Sequence, residues 1–172
     1  MNCAALTMEQ ARHQQQFQQL LERHRGIVLK VAHSYCRDAH ERADLAQEIA
    51  AQLWRAFPGY DGTRPFSTWM YRIALNVAIS QLREHGRREQ WHEPLQERHD
   101  AGIDSSDPAT DQRVHELYRC IDRLDPFNRA LLVLYLDECS QRDIAEILGI
   151  TETNVATRIA RLKQRLREEM NP

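Results

Sequence analysis

Apolar positions recur at helical spacing along most of this chain. From Glu9 the segment ARHQQQFQQLLERH sets Phe17, Leu20 and Leu21 on one side, and its short glutamine run lies inside that amphipathic pattern. Residues 1–8 read as frayed. Gly26 is expected to bend or break the helix before IVLKVAHSYC, where Ile27, Val28, Val31, Ala32 and Tyr35 are spaced for burial. Asp38 then caps a third helix with the stripe Leu45, Ile49, Leu53, Trp54 and Phe57, which Pro58-Gly59 stops. After the turn-rich loop PGYDGTRP comes the long helix FSTWMYRIALNVAISQLREHGRR. Its expected buried face is Phe66, Met70, Ile73, Val77 and Leu82, and its other face lines up Thr68, Arg72, Asn76, Ser80, Arg83 and Arg87. Over residues 91–112 the periodicity stops and Pro, Gly, Ser and Asp accumulate, the mark of a linker. Helical spacing resumes at Arg113 with VHELYRCIDRL, followed by FNRALLVLYLDE with Pro126 in its first turn.

The last stretch, SQRDIAEILGITETNVATRIARLKQRLR, reads as two helices joined by a very short turn. Ser140 and Asp143 stand in capping-box positions, and Ile144, Ala145, Ile147 and Leu148 form the first apolar face. Gly149 ends that helix, Ile150 plugs the turn, and the small Ala145 permits a close crossing. Thr151 caps the second helix, whose stripe is Val155, Ile159, Leu162 and Leu166. Its exposed face carries Thr153, Asn154, Thr157, Arg158, Arg161, Lys163, Arg165 and Arg167, and residues 153–167 hold five basic side chains and no acidic one. Short polar tips near the N-terminus suit base edges and the cations beyond them suit phosphates, which is how a recognition helix presents itself to a major groove. A helical hairpin with a solvated basic face would show the same pattern.

Charge sharpens this picture only locally, because the 172 residues have a net charge of −2. Residues 1–90 carry 12 Lys+Arg against 9 Asp+Glu, residues 91–112 one against six, and residues 113–172 ten against ten. Glycine and proline are scarce, six each, as in an all-α protein. The expectation is therefore an all-α chain of two small helical domains, an N-terminal helical bundle (9–90) and a C-terminal helix-turn-helix (113–169), joined by a flexible acidic linker (91–112). The four cysteines are far apart and form no CxxC pair, which disfavours a disulfide framework and fits a reducing cytosol. Neither a signal-peptide core nor an apolar run of membrane-spanning length is present in the sequence, so a cytoplasmic protein without direct membrane insertion is expected.

Two segments together carry a family resemblance. ADLAQEIAAQLWRAF…YDGTRPFSTWMYRIALNVAISQLREHGRR resembles the promoter-melting domain of bacterial RNA polymerase sigma factors of the extracytoplasmic-function (ECF) group of the sigma-70 family. LDPFNRALLVLYLDECSQRDIAEILGITETNVATRIARLKQRLRE resembles that group's domain for the minus-thirty-five element, and both occur in the family's order. The resemblance implies an alternative sigma factor that binds core RNA polymerase and directs promoter recognition and transcription initiation. By the same resemblance Asp44, Gln47 and Glu48 face the polymerase clamp. Asp44 and Glu48 stand at i, i+4 and offer acceptors to a partner's arginines, although a solvated acidic face would look the same. The loop after Gly59 and the next helix would read the minus-ten element with Tyr60, Trp69, Arg72, Asn76, Arg83, Arg87 and Arg88. There the family flips one base of a single strand into a pocket. For Trp69, core packing competes with that role.

The upstream element would fall to Thr153, Asn154, Thr157, Arg158 and Arg161. Two departures from the family are visible: Ser80 where an acidic residue is common four positions after the asparagine, and Ala156 where a basic one often follows the valine. The family leaves room for an anti-sigma factor, to which no residue of this sequence points. No cofactor or metal is expected, and no nucleophile, phosphate-binding glycine loop or ExxH pair accompanies the carboxylates, so no enzyme is expected either. Two other readings stay open at this level. One is a helix-turn-helix regulator that does not serve polymerase as a sigma factor. The other is a metal- or redox-sensing helical adaptor built on His33 and Cys36, with His40 at i+7 but beyond the helix break expected at Asp38.

Overall fold

A computed structural model describes residues 3–89 and 119–170, with side chains over 11–84 and 119–169. The acidic segment 91–112, expected as the linker, and the start of the helix expected from Arg113 lie outside the described residues. All the regular structure among the described residues is helical. The N-terminal group comprises α1 (Cys3–Arg23), α2 (Arg25–Tyr35), α3 (Ala39–Ala56) and α4 (Phe66–Glu89), and a short 3₁₀ turn, Phe57–Gly59, follows α3. The C-terminal group comprises α5 (Pro126–Leu136), α6 (Gln141–Leu148) and α7 (Glu152–Met170).

Local chemistry explains most of the boundaries. Asp38 accepts hydrogen bonds from the backbone N–H groups of His40 and Glu41, and Asp125 from those of Phe127 and Asn128, so both cap donors that a helix start leaves orphaned. The first helix begins at Cys3 rather than Glu9, since Ala4, Ala5 and Leu6 are good helix formers. The break before α2 falls at His24, not Gly26: the His24 N–H reaches back to both Leu20 O and Leu21 O and tightens the last turn of α1. The α5–α6 turn is a Schellman cap closed by bonds from Cys139 N to Leu134 O and from Glu138 N to Tyr135 O. Its left-handed position is held by Glu138, at φ 56°, where glycine would be usual.

Helices α2, α3 and α4 pack on one another around Val31, Leu45, Ile49, Leu53 and Met70. The buried face of α4 is rotated from the expected one. Phe66 and Met70 are buried with Tyr71, Ala74, Leu75 and Ala78, whereas Ile73, Val77 and Leu82 are only half-buried. The alanines escape an apolar-periodicity reading because they are small, yet smallness is what lets helices approach here. Thr68, expected on the polar face, is buried for a related reason: α6 packs across this part of α4. Trp54 is 44% exposed, with the rings of His13 and Phe17 of α1 beside it. In the second group Leu131, Leu134, Ile144 and Val155 are fully buried.

The two groups share one continuous apolar cluster. Around it run polar ties: the Tyr35 hydroxyl donates to Pro126 O at 2.7 Å, and the buried Arg129 donates to Ser34 O at 3.3 Å, Asp122 O at 2.9 Å and Leu124 O at 3.4 Å. Its guanidinium also lies 5.4 Å above the Tyr35 ring. The two terminal nitrogens of Arg129 thus bind carbonyl oxygens, including one at the electronegative end of α2, while its buried Nε has no hydrogen-bond partner among the described residues.

Candidate nucleic-acid interface

The loop between α3 and α4 folds back on itself. The Tyr60 hydroxyl donates to Arg64 O at 2.7 Å, and Asp61 accepts from both the backbone N–H of Thr63 at 3.0 Å and its hydroxyl at 2.7 Å. Those Thr63 bonds, backbone first, hold the Asp61 carboxyl below its ordinary range. Gly62 takes the left-handed conformation, φ 72°, that the reversal needs. The loop's aromatic side packs as a ladder: Tyr60 lies 5.1 Å from Trp69 and 5.4 Å from Phe66, and Phe66 lies 5.2 Å from Trp69. Phe66 is buried, while Tyr60 and Trp69 are half-buried, each with one side in the core and one facing a cleft.

That cleft has a volume of about 400 Å³ and brings together Tyr60, Trp69, Arg72 and Asn76, four of the residues expected at the minus-ten element. Arg83 is exposed farther along α4. The side chains of Arg87 and Arg88 lie outside the described residues. Asp61, Thr63 and Arg64, in the loop expected at the minus-ten element but not singled out there, stand on the cleft's rim, and Glu146 and Ile147 of α6, which no sequence pattern pointed to, form the opposite wall.

The second interface is the exposed face of α7. Ser140 accepts from Asp143 N at 3.1 Å, Gly149 turns at φ 68°, and Thr151 accepts from Asn154 N at 3.2 Å, so the two caps and the turn form as expected. Val155, Ile159 and Leu162 are buried. A shallow groove gathers Asn154, Thr157, Arg158 and Arg161, with Arg165 and Asn128 at its margins. Thr153 is exposed and its carbonyl accepts from the Thr157 hydroxyl at 2.9 Å. Asn154 accepts from Arg158 Nε at 2.9 Å, and that guanidinium lies 4.9 Å above the Phe127 ring. Asn128 escaped the sequence reading because it belongs to α5; its amide is tied to the Asp125 cap at 2.5 Å.

The third candidate surface lies on α3. Asp44, Gln47 and Glu48 are all exposed, away from Leu45, Ile49 and Leu53. Glu48 already accepts from Gln52 Nε2 at 2.8 Å and has Arg55 at 3.7 Å, both within the helix. His33, Cys36 and His40, the set behind the metal- or redox-adaptor reading, do not share a helical face. Tyr35 ends α2, Cys36 is extended at φ −127°, ψ 132°, and Asp38 starts a new helix. Burial, helped by Glu41, pushes the Cys36 thiol up to about 11, against the pull of Arg42 and Arg129.

Known proteins with these elements agree. The family model for Sigma-70 region 2 matches residues 20–88, and that for Sigma-70 region 4 matches residues 115–166. The chain belongs to the sigma-70 family. Several of its relatives are ECF sigma factors. The ECF RNA polymerase sigma factor SigE of Mycolicibacterium smegmatis is 30% identical over 87% of this chain, which spans 60% of that protein's length. SigW of Bacillus subtilis is 26% identical, covering 91% of this chain and 90% of its own. The sigma-H factor of Pseudomonas aeruginosa is 29% identical, covering 92% and 96%. The fold matches CnrH, solved with the cytosolic domain of CnrY, at a TM-score of 0.66 and 24% identity over 90% of this chain and 87% of that one. It also matches RpoE of Bartonella quintana, solved with the anti-sigma factor NepR, at 0.67 and 20% identity over 91% and 95%. In this sigma-family chain the α3–α4 side of the cleft falls within region 2, and its Glu146 and Ile147 wall falls with the α6–α7 pair within region 4. None of its described helices is long and apolar enough to cross a membrane.

Proposed function

We propose that this chain is an alternative sigma factor of the cytoplasm that recruits core RNA polymerase to a particular class of promoters and helps open the DNA. The observation that carries this is the pairing, in one chain, of an aromatic-walled cleft in region 2 with a basic recognition helix in region 4. The cleft offers ring faces for an unstacked base (Tyr60, Trp69), an amide with both donor and acceptor (Asn76) and a cation for the adjoining phosphate (Arg72). Capturing a base there offsets the few kcal/mol of unstacking, which is all that region 2 needs to contribute to melting. Arg83, Arg87 and Arg88 extend the cationic path along α4. On α7, Asn154, Thr157, Arg158 and Arg161 read the upstream duplex, with Thr153 at the helix start and Asn128 beside them. Asp44, Gln47 and Glu48 dock core polymerase through charge-assisted bonds. Residues 9–90 and 113–169 serve as the two reading domains and 91–112 as their tether. The chemistry of RNA synthesis belongs to the polymerase. An anti-sigma factor such as NepR, seen with the Bartonella relative, is a fitting inhibitor class.

The decisive test is co-elution with purified bacterial core polymerase, beside an Asp44→Arg/Glu48→Arg variant. A stoichiometric complex that the variant loses supports both the function and the docking face, and sequencing the transcripts then identifies the promoter. A wild-type chain that fails to bind core polymerase would end the proposal.

A further inference from the structure

The basic face of α7 is not a uniform row of cations. Arg165 Nε donates to Glu169 at 2.7 Å, and the Lys163 ammonium lies 5.2 Å over the Tyr135 ring and 3.1 Å from its hydroxyl. Arg158 is held by two uncharged groups from two different helices. Its Nε donates to Asn154 Oδ1 at 2.9 Å within α7, and its guanidinium lies 4.9 Å over the Phe127 ring of α5. Local chemistry places Phe127 in turn. Pro126 opens α5, and the Asp125 carboxylate accepts from Phe127 N at 3.1 Å and Asn128 N at 3.0 Å. The ring is thus fixed against an arginine that lines the groove with Asn128, Asn154, Thr157 and Arg161.

This clamp shapes what the groove can read. A planar guanidinium stacked on a ring and tied at Nε has lost much of its rotation before DNA arrives, and its terminal N–H groups are left as donors. Because Nε–H can only donate, the Asn154 atom facing it is the carbonyl oxygen, and the amide's NH2 is what stays uncommitted. Asn154 therefore no longer offers the free oxygen–nitrogen edge that pairs with adenine. Adenine presents an acceptor, N7, beside a donor, N6, whereas guanine presents two acceptors, N7 and O6. The uncommitted groups of the Asn154–Arg158 pair are donors, and they match guanine.

We propose that Phe127 is a positioning residue for promoter reading: stacked under Arg158, it holds the Asn154–Arg158 pair as a donor fork that selects guanine in the upstream element. The ring acts through Arg158 and not through a base contact of its own. This inference rests on the reading of α7 as the helix that enters the major groove of that element.

The test uses holoenzyme assembled from the full chain and core polymerase, with duplexes from a promoter that it transcribes. Each upstream base pair is replaced in turn by the other three, and affinity is read by competition anisotropy. Wild type should show a position at which guanine is preferred over adenine by roughly tenfold. Arg158→Lys keeps the charge but loses the fork, so it should abolish that preference and leave the salt slope unchanged. Phe127→Leu keeps an apolar side chain without the ring face. It should cut the preference at that position by about two- to fivefold, with the other positions as in wild type. Phe127→Tyr should restore it, and Phe127→Leu added to Arg158→Lys should cost nothing further at that position. A Phe127→Leu holoenzyme with the wild-type preference would overturn the inference. So would a loss spread over all positions, unrestored by Phe127→Tyr or additive with Arg158→Lys, because each marks a packing role for the ring. Adenine preferred at the Arg158-dependent position would overturn it as well. A wild-type holoenzyme with no upstream base preference removes instead the reading of α7 beneath it.

Discussion

Single side chains in this protein are held ready by neighbours rather than left loose. Asn154 illustrates this: it holds Arg158 Nε at 2.9 Å while Phe127 supports the guanidinium from below. The pair enters the groove with part of its rotamer entropy already lost, which favours directional base contacts. Asn154→Ala should therefore cost roughly tenfold in holoenzyme affinity for its own upstream duplex, and much less on a scrambled duplex, measured by anisotropy. Arg72→Ala should weaken strand binding regardless of sequence and lower the salt slope by about one. The thiols behave oppositely to reactive cysteines. Burial pushes Cys36 and Cys139 up to about 11, aided at Cys139 by Asp137 and Asp143, so both stay neutral near pH 7. Site-mapped alkylation should be slow for both at neutral pH and accelerate only as pH approaches about 11.

At the level of elements, the two turns flanking α6 solve one problem with different residues. Gly149 sits at φ 68° with open space where a Cβ would project, so Gly149→Ala incurs only backbone strain. It should lower unfolding free energy by ~1 kcal/mol in urea titration. Glu138 sits at φ 56° in the Schellman turn without glycine's freedom. Glu138→Gly relieves that strain and should raise stability by ~0.5 kcal/mol in the same titration. That left-handed residue sits in the turn that presents Asp137 to Lys30 and Tyr71. The aromatic ladder of the α3–α4 loop belongs to this scale too. Phe66 anchors it in the core, and Tyr60 and Trp69 each leave a face toward the cleft because the loop curls over α4.

Across the whole molecule, the two helical groups meet through a shared apolar cluster ringed by polar ties. Asp137 ties to two helices of the N-terminal group at once, Lys30 of α2 and Tyr71 of α4. Partial burial works against its charge, but hydrogen bonds from Lys30 and Tyr71 and the ammonium charge prevail and hold its carboxyl below the ordinary range. Tyr71 is pushed up by burial and by the same carboxylate, and Cys139 faces that carboxylate as well. A depressed carboxylate contributes stability that is fully present above its unfolded value and is lost as pH falls through the folded one. The stability difference between wild type and Asp137→Asn should accordingly be present near about pH 7 and shrink only as pH falls below the ordinary carboxylate range of about 4, followed by denaturant midpoints.

What the sequence by itself determined is what neighbours along the chain decide. The caps at Asp38, Ser140 and Thr151, the stop at Gly149 and the stripe Val155, Ile159, Leu162 depend on residues within a turn or two, and so does the basic face of α7. The family match rests on the same local signals in their order. Tertiary structure decided the rest, because burial depends on which helix crosses where. It turned α4 onto Tyr71, Ala74, Leu75 and Ala78, it left Trp54 half in solvent, and it buried Thr68 beneath α6. The cleft itself needed both levels. Tyr60, Trp69, Arg72 and Asn76 were legible from loop and helix spacing, but its far wall, Glu146 and Ile147, comes from some 70 residues away and no local pattern could supply it.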